Sequence, residues 1–403
     1  MNRRRLLAAA GAAAGAAMLP GRARAAAGVK IGVLTDMNAA SRDMSGPGSV
    51  IAAKLAIADA GGSALGQPIE LIVGDHQMKP DVGGMVASGW YDTQDVDLIA
   101  DVPFSAVGLA VQNISRSKKK LFITSGTGAD EFTGKFCSPY SFQWTFDSTA
   151  LANGTARALL NRGAKSFYFI TPDYAFGHSM ERTATAMIQS RGGTVAGHSV
   201  YPYATPDLSS YLLAAQASGA DVIATCAGPP DNINFIKQAA SFAIEQGGKQ
   251  QLAAFLGFIN DIHAIGLPVA KGLVVTTSFY WDRDDATRAW SQRFFKENGK
   301  MPSMTQAGVY SGVLHYLKAV QAIGSKDPEA VAAKMRATKV DDMFGRGGTL
   351  RADGLMVHDL LLVRVKPPEK SKGEWDLYDV LEVIPGETAF PEMKTAGCPL
   401  VAG

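Results

Sequence analysis

The sequence predicts an α/β protein in which two doubly wound units follow one another. Three observations carry that reading. Short runs rich in Val and Ile alternate with segments of helical apolar spacing, as in parallel strands covered by helices on both faces. Gly pairs and turn residues separate the runs. The alternation restarts near Ser148, and 403 residues suffice for two cores. No short sequence repeat accompanies this repeat of architecture.

In the first unit strands are predicted over 29–34, 69–73, 96–100 and 121–124. Helices are predicted over 49–60, stopped by Gly61 and Gly62, over 82–91, and over 106–117. In the last of these Val107, Ala110, Val111 and Ile114 share a face. The second unit opens with a helix that Ser148 caps and Gly163 ends. Strands over 167–171, 195–200, 222–225, 254–256 and 273–276 follow, with helices over 179–190 and 231–242. A late strand pair, 360–365 and 375–381, flanks a loop around Pro367 and Pro368.

The first 25 residues read as an export signal. Arg3, Arg4 and Arg5 precede Leu6 and Leu7, the stretch 8–19 is mostly Ala, Gly and Leu, and Ala23-Arg24-Ala25 is a small-x-small cleavage pattern. The arginines followed by leucines point to the twin-arginine route; an ordinary Sec signal is the alternative. The mature chain is expected to begin near Ala26 and to work in the periplasm. The net charge of +2 includes five signal arginines, and without them it is −3. That balance argues against nucleic acid as a partner. Lys118-Lys119-Lys120 reads as a solvated helix end. Of the three cysteines, Cys226 sits in an apolar run and reads as buried, whereas Cys137 and Cys398 lie among Gly, Pro and polar residues. A Cys137–Cys398 bridge is expected, with three free thiols as the alternative.

No Cys-x-x-Cys, His-x-x-x-His or Gly-x-Ser-x-Gly occurs after residue 25, and the six histidines stand singly. The chain therefore reads as a non-enzyme without metal or cofactor. Ser125-Gly126-Thr127-Gly128 follows a strand but lacks the Lys of a P-loop and the third Gly of a dinucleotide turn. Asp75, Asp101 and Asp173 stand at strand ends and read as turn caps. The sharper feature is Pro103-Phe104-Ser105-Ala106. Ser105 is placed as the N-cap of the next helix, whose free N–H groups and positive dipole end suit a carboxylate. Gly126, Thr127 and Gly128 would add backbone donors. A plain cap with no ligand is the alternative.

These residues, the Asp173-Tyr174-Ala175-Phe176-Gly177 segment and the order of elements resemble the periplasmic leucine/isoleucine/valine-binding protein family. The similarity runs from Val29 to about Val383. It implies two Rossmann-like lobes joined by three crossover hinge strands, near Gln143-Trp144-Thr145, Thr277-Ser278-Phe279 and Gly347-Gly348-Thr349. Lobe 1 would comprise 28–144 with 279–348, lobe 2 145–278 with 349–385, and 386–403 a tail. The resemblance implies a monomeric receptor that binds a small carboxylate between the lobes and delivers it to an inner-membrane ABC permease. A periplasmic ligand-sensing module of the same fold is the alternative. Ser105 and the backbone at Gly126, Thr127 and Gly128 would hold the carboxylate, with Phe104, Ala106, Ser45, Tyr174 and Phe176 around it. Trp144, Tyr280 and Trp281 are further aromatic candidates. Two departures bear on the ligand. Gly128 stands where the family has a Thr for the α-ammonium, and apolar Phe258-Ile259 stands where it has an acidic partner. Asp231 or Asp261 could substitute, so the expected ligand is a branched-chain or other apolar amino acid, or an amine-free acid such as an aromatic carboxylate.

Overall fold

The structure, a computed structural model, describes residues 28–242, 244 and 250–401. The predicted signal at 1–25 lies outside the described residues. In the first unit the strands are β1 (Lys30–Thr35), the two-residue hairpin β2 (Ser63–Ala64) and β3 (Gln67–Pro68), β4 (Glu70–Asp75), β5 (Leu98–Asp101), β6 (Leu121–Thr124) and β7 (Ser141–Gln143). Five of them form a parallel sheet in the order β4-β1-β5-β6-β7. The second unit has β8 (Ser166–Pro172), β9 (Thr194–Tyr201), β10 (Val222–Thr225) and β11 (Gln251–Ala254) in the parallel order β11-β10-β8-β9. Strands β5, β6 and β10 are buried at every residue, which is why they read as unbroken apolar runs.

Beyond these lie β12 (Val274–Thr277), the hairpin β13 (Thr349–Leu350) and β14 (Met356–Val357), β15 (Leu360–Val365) and β16 (Tyr378–Ile384). β12, β15 and β16 form an antiparallel sheet, linked to the second unit by a bridge between Leu256 and Thr276. The last predicted strand starts three residues late because Trp375 and Leu377 are buried in the preceding loop. Strand 254–256 instead pairs as Gln251–Ala254. The predicted helix 179–190 begins earlier, at Ala175. Helix 49–60 begins at Gly46, where Pro47 fits the first turn.

The chain leaves the first sheet after Gln143 and comes back after Thr277. It then adds the helices Asp285–Asn298 and Met304–Ile323 against Gly46–Asp59, followed by Pro328–Ala337. The sequence reading missed all three. Met304–Ile323 is buried on nearly every face from Met304 to Leu317, so it has no amphipathic stripe to detect. Its start is nonetheless well marked: Ser303 and Gln306 form a capping box, as Asp284 and Thr287 do for Asp285–Asn298. One apolar cluster runs through both units, joining Val33 and Ile123 to Phe169 and Phe255.

A disulfide joins Cys137 to Cys398 across 261 residues of sequence and ties the C-terminal segment beside the first sheet. Cys226 is free and buried, and burial pushes its thiol well above the ordinary range. A maleimide reagent is therefore expected to label no cysteine in the native oxidised protein and only Cys226 after unfolding without reductant. Labelling of Cys137 or Cys398 in that unfolded sample would refute the bridge.

Candidate functional site

Both parallel sheets point their strand carboxyl ends at a shared crevice, where open α/β sheets hold ligands. Strand ends of both sheets contribute to one small pocket of about 30 Å³ between the units. Ser41 and Met44 follow β1, Met78 follows β4, Pro103, Phe104 and Ser105 follow β5, and Gly126 follows β6. From the other side Tyr174 and Phe176 follow β8, Tyr203 follows β9, Gly228 and Pro229 follow β10, and Leu256 and Phe258 follow β11.

The polar end of the pocket is built on an unusual turn. Asp101 and Val102 have φ of 87° and 55°, in the left-handed region that a β-branched residue avoids. Three hydroxyls pin this turn. Ser125 donates to Asp101 Oδ1 at 2.8 Å, and Thr124 and Thr127 donate to the Val102 carbonyl at 3.1 and 3.0 Å. The turn delivers Phe104 as N-cap and Ser105 as first residue of the helix Ser105–Lys118. The sequence predicts Ser105 one position earlier, as the cap itself. The helix's first internal bond runs from Gly108 N–H to the Phe104 carbonyl at 2.9 Å, so the N–H groups of Ser105, Ala106 and Val107 precede the ladder.

Ser105 is 2 % exposed, and its Oγ accepts from the Gly128 and Ala129 N–H groups at 3.1 and 3.3 Å. Its own proton remains to be donated. This corrects the expected role of the glycine loop. Gly126 and Thr127 N–H donate to Thr124 Oγ1 at 3.4 and 3.0 Å, so the loop's donors hold the loop and Ser105 instead of facing the pocket. Thr127 and Gly128 lie off the pocket wall. Gly128 is nonetheless required there: a Cβ would stand 2.7 Å from Phe146 and 2.8 Å from Phe176.

The opposite wall is aromatic. Phe104 stacks on Tyr174 with ring centroids 5.5 Å apart and planes 11° from parallel, and Tyr203 lies 5.6 and 5.2 Å from the two rings. Phe104 comes from the first unit and both tyrosines from the second, so the stack spans the crevice. The tyrosine hydroxyls are fixed from behind: Tyr174 accepts from Gly228 N–H at 3.1 Å and Tyr203 donates to the Pro229 carbonyl at 3.3 Å. None of the lining residues carries a charge.

Of the residues expected at the site, Phe104, Ser105, Gly126, Tyr174 and Phe176 meet on the wall. Ser45 is buried behind it, donating to the Ser41 carbonyl at 2.9 Å, and Ala106 is half-buried on the helix. Trp144 is core, donating to Ser311 at 3.0 Å; Tyr280 packs on Tyr378; Trp281 donates to the Trp375 carbonyl at 2.8 Å. Tyr203, Met78, Ser41 and Met44 were missed, although each lies within nine residues of a strand's carboxyl end. Asp231 and Asp261 do not line the pocket. Burial pushes the carboxyl of Asp231 up to about 6 and that of Asp261 up to about 7.

The periplasmic binding protein family profile matches residues 28–374. Leu/Ile/Val-binding protein homolog 6 of Brucella suis biovar 1 (strain 1330) is 26% identical over 249 residues, 60% of this chain and 62% of that protein. The match thus spans less than two thirds of that relative. A solved periplasmic binding protein from Burkholderia mallei is 43% identical with a TM-score of 0.90, covering 93% of this chain and 99% of its own. A branched chain amino acid ABC transporter periplasmic ligand-binding protein from Burkholderia xenovorans LB400 is 42% identical with a TM-score of 0.85, covering 92% and 99%.

Two outcomes follow from this geometry. Gly128→Ala is expected to destabilise the protein by about 1–3 kcal/mol through overpacking against Phe146 and Phe176; a denaturation midpoint equal to wild type would contradict the contact. Raised carboxyl pKa values make the folded state hold protons that the unfolded chain has lost above about pH 4. Their contribution is present in full below that pH and is lost as pH rises through 6–7. Asp261→Asn is expected to flatten the fall in stability between about pH 5 and 7. An unchanged slope in urea titrations would show that Asp261 is not its source.

Proposed function

The chain belongs to the periplasmic binding protein family and has its type I fold, and we propose that it is the exported solute receptor of an ABC importer for an apolar or aromatic carboxylic acid without an α-amine. The observation that carries this reading is the asymmetry of the pocket. One end offers the Ser105 hydroxyl and the first N–H groups of a helix, which suit an anion. Everything else on the wall is uncharged, and Phe258 occupies the side where an ammonium would need an acid. The aromatic stack of Phe104, Tyr174 and Tyr203 suits a flat or branched apolar body.

Mechanistically, the acid enters while the units are apart. Its carboxylate takes the Ser105 proton in a hydrogen bond and faces the helix N-terminus. Closure brings Tyr174, Phe176 and Tyr203 over the apolar body, and each aromatic pair adds about 0.5–1.5 kcal/mol. The closed form is then presented to an inner-membrane permease, with no chemical step. The lobes are assigned as 28–144 with 279–348 and 145–278 with 349–385, with 386–403 as a tail. The chain acts as a monomer, and the signal at 1–25 takes it to the periplasm by the twin-arginine route.

Calorimetric titration with benzoate, leucine and methyl benzoate tests the ligand class. Binding is expected for the free acid and not for the ester, with leucine weaker than the acid. Leucine binding tightly while amine-free acids stay silent would overturn the reading. Ser105→Ala is expected to weaken acid binding by about 1.5–3 kcal/mol, the range of a hydrogen bond to a charged group. Unchanged affinity would remove Ser105 from the site.

A further inference from the structure

A second cavity, of about 440 Å³, shares no residue with the cleft. It opens between the helix Asp285–Asn298 and the loop joining β15 to β16. Trp281, Phe295, Met301 and Trp375 form its apolar walls. Trp375 is 6 % exposed and lies flat on His263, with ring centroids 4.0 Å apart. Its indole Nε1 is buried without a partner. A buried donor left unpaired in this way costs about 1–3 kcal/mol.

The charges around the rim sort in one direction. Asp282 is paired with Arg288 at 2.8 Å, and Glu374 is hydrogen-bonded to His263 Nε2 at 2.9 Å. Asp376 is paired with Lys366 and also accepts from the Lys372 N–H at 2.9 Å. The rim carboxylates are therefore engaged. Among the described residues the Lys372 ammonium has no ion-pair or hydrogen-bond partner. What the cavity has left to offer is an apolar slot and a cation.

We infer that this cavity is a second small-molecule site, selective for an aromatic anion. The ring would lie among Trp281, Phe295, Met301 and Trp375, with the anionic group on Lys372. A neutral molecule of the same shape would gain the apolar burial and forgo the charge. The assignment does not depend on what the cleft binds.

The probe is 1-naphthalenesulfonate, with uncharged 1-naphthol as its control, followed by calorimetry on the full mature chain. The sulfonate is expected to bind the wild type. Lys372→Ala, on an exposed loop, is expected to weaken it about tenfold or more. Met301→Trp, which fills the slot, is expected to abolish it, with circular dichroism confirming the fold. The naphthol is expected to bind at least tenfold more weakly. Equal binding of both probes, no binding of the sulfonate at millimolar concentration, or affinity unaffected by both substitutions would overturn the assignment. The last result would place the probe in the cleft or elsewhere.

Discussion

The site depends on holding two consecutive residues, Asp101 and Val102, in the left-handed region at the end of β5. Conformations of this kind cost about 1–3 kcal/mol each and persist only where the surroundings over-determine them. Here three hydroxyls from the adjoining strand end and loop do so, from Ser125, Thr124 and Thr127. The consequence is directional. An ordinary strand exit would not aim Phe104 across the crevice while setting Ser105 at the helix start. The glycine loop completes the frame, because the Gly128 and Ala129 N–H groups lock the Ser105 oxygen and leave its proton to act.

Around that frame the two units meet through apolar contact more than through charge. Phe104 on Tyr174 is the central pair, and Met78 lies against the Tyr203 hydroxyl at 3.8 Å. Apolar contact of this kind is non-directional, which suits a receptor that must release what it captures. Ser148 donates to the Gly128 carbonyl at 2.8 Å and its Oγ lies 2.8 Å from Ser179 Oγ, so the loop that fixes Ser105 is itself tied to the second unit. A change in the angle between units would therefore reach the Ser105 end of the pocket through a short path.

Much of this was legible in the chain. Parallel buried strands announce themselves as runs of Val and Ile, so both sheets and their helices were readable, and with them the crevice at the strand ends. Ser105 was singled out because it stands between a strand and a helix, whereas Phe104 and Tyr174 were named from the family resemblance. Two kinds of feature escaped. Met304–Ile323 is buried all round and shows no stripe. Side-chain direction was the other gap: Thr127 and Gly128 sit in the right loop, yet their groups turn inward to the turn at 101–102, a fact set by left-handed backbone and not by residue type. Trp144, Tyr280 and Trp281 were considered for the pocket on aromatic character alone, which does not separate wall from core.

The central claim is that a carboxylate rests on the Ser105 hydroxyl and the helix start behind it. A crystal structure with a bound acid tests this most directly. The account requires a carboxylate oxygen at about 2.5–3.0 Å from Ser105 Oγ, with the ligand body among Phe104, Tyr174 and Tyr203. An acid group found instead against the Tyr203–Pro229 side, with Ser105 still bonded only to its own loop, would contradict it.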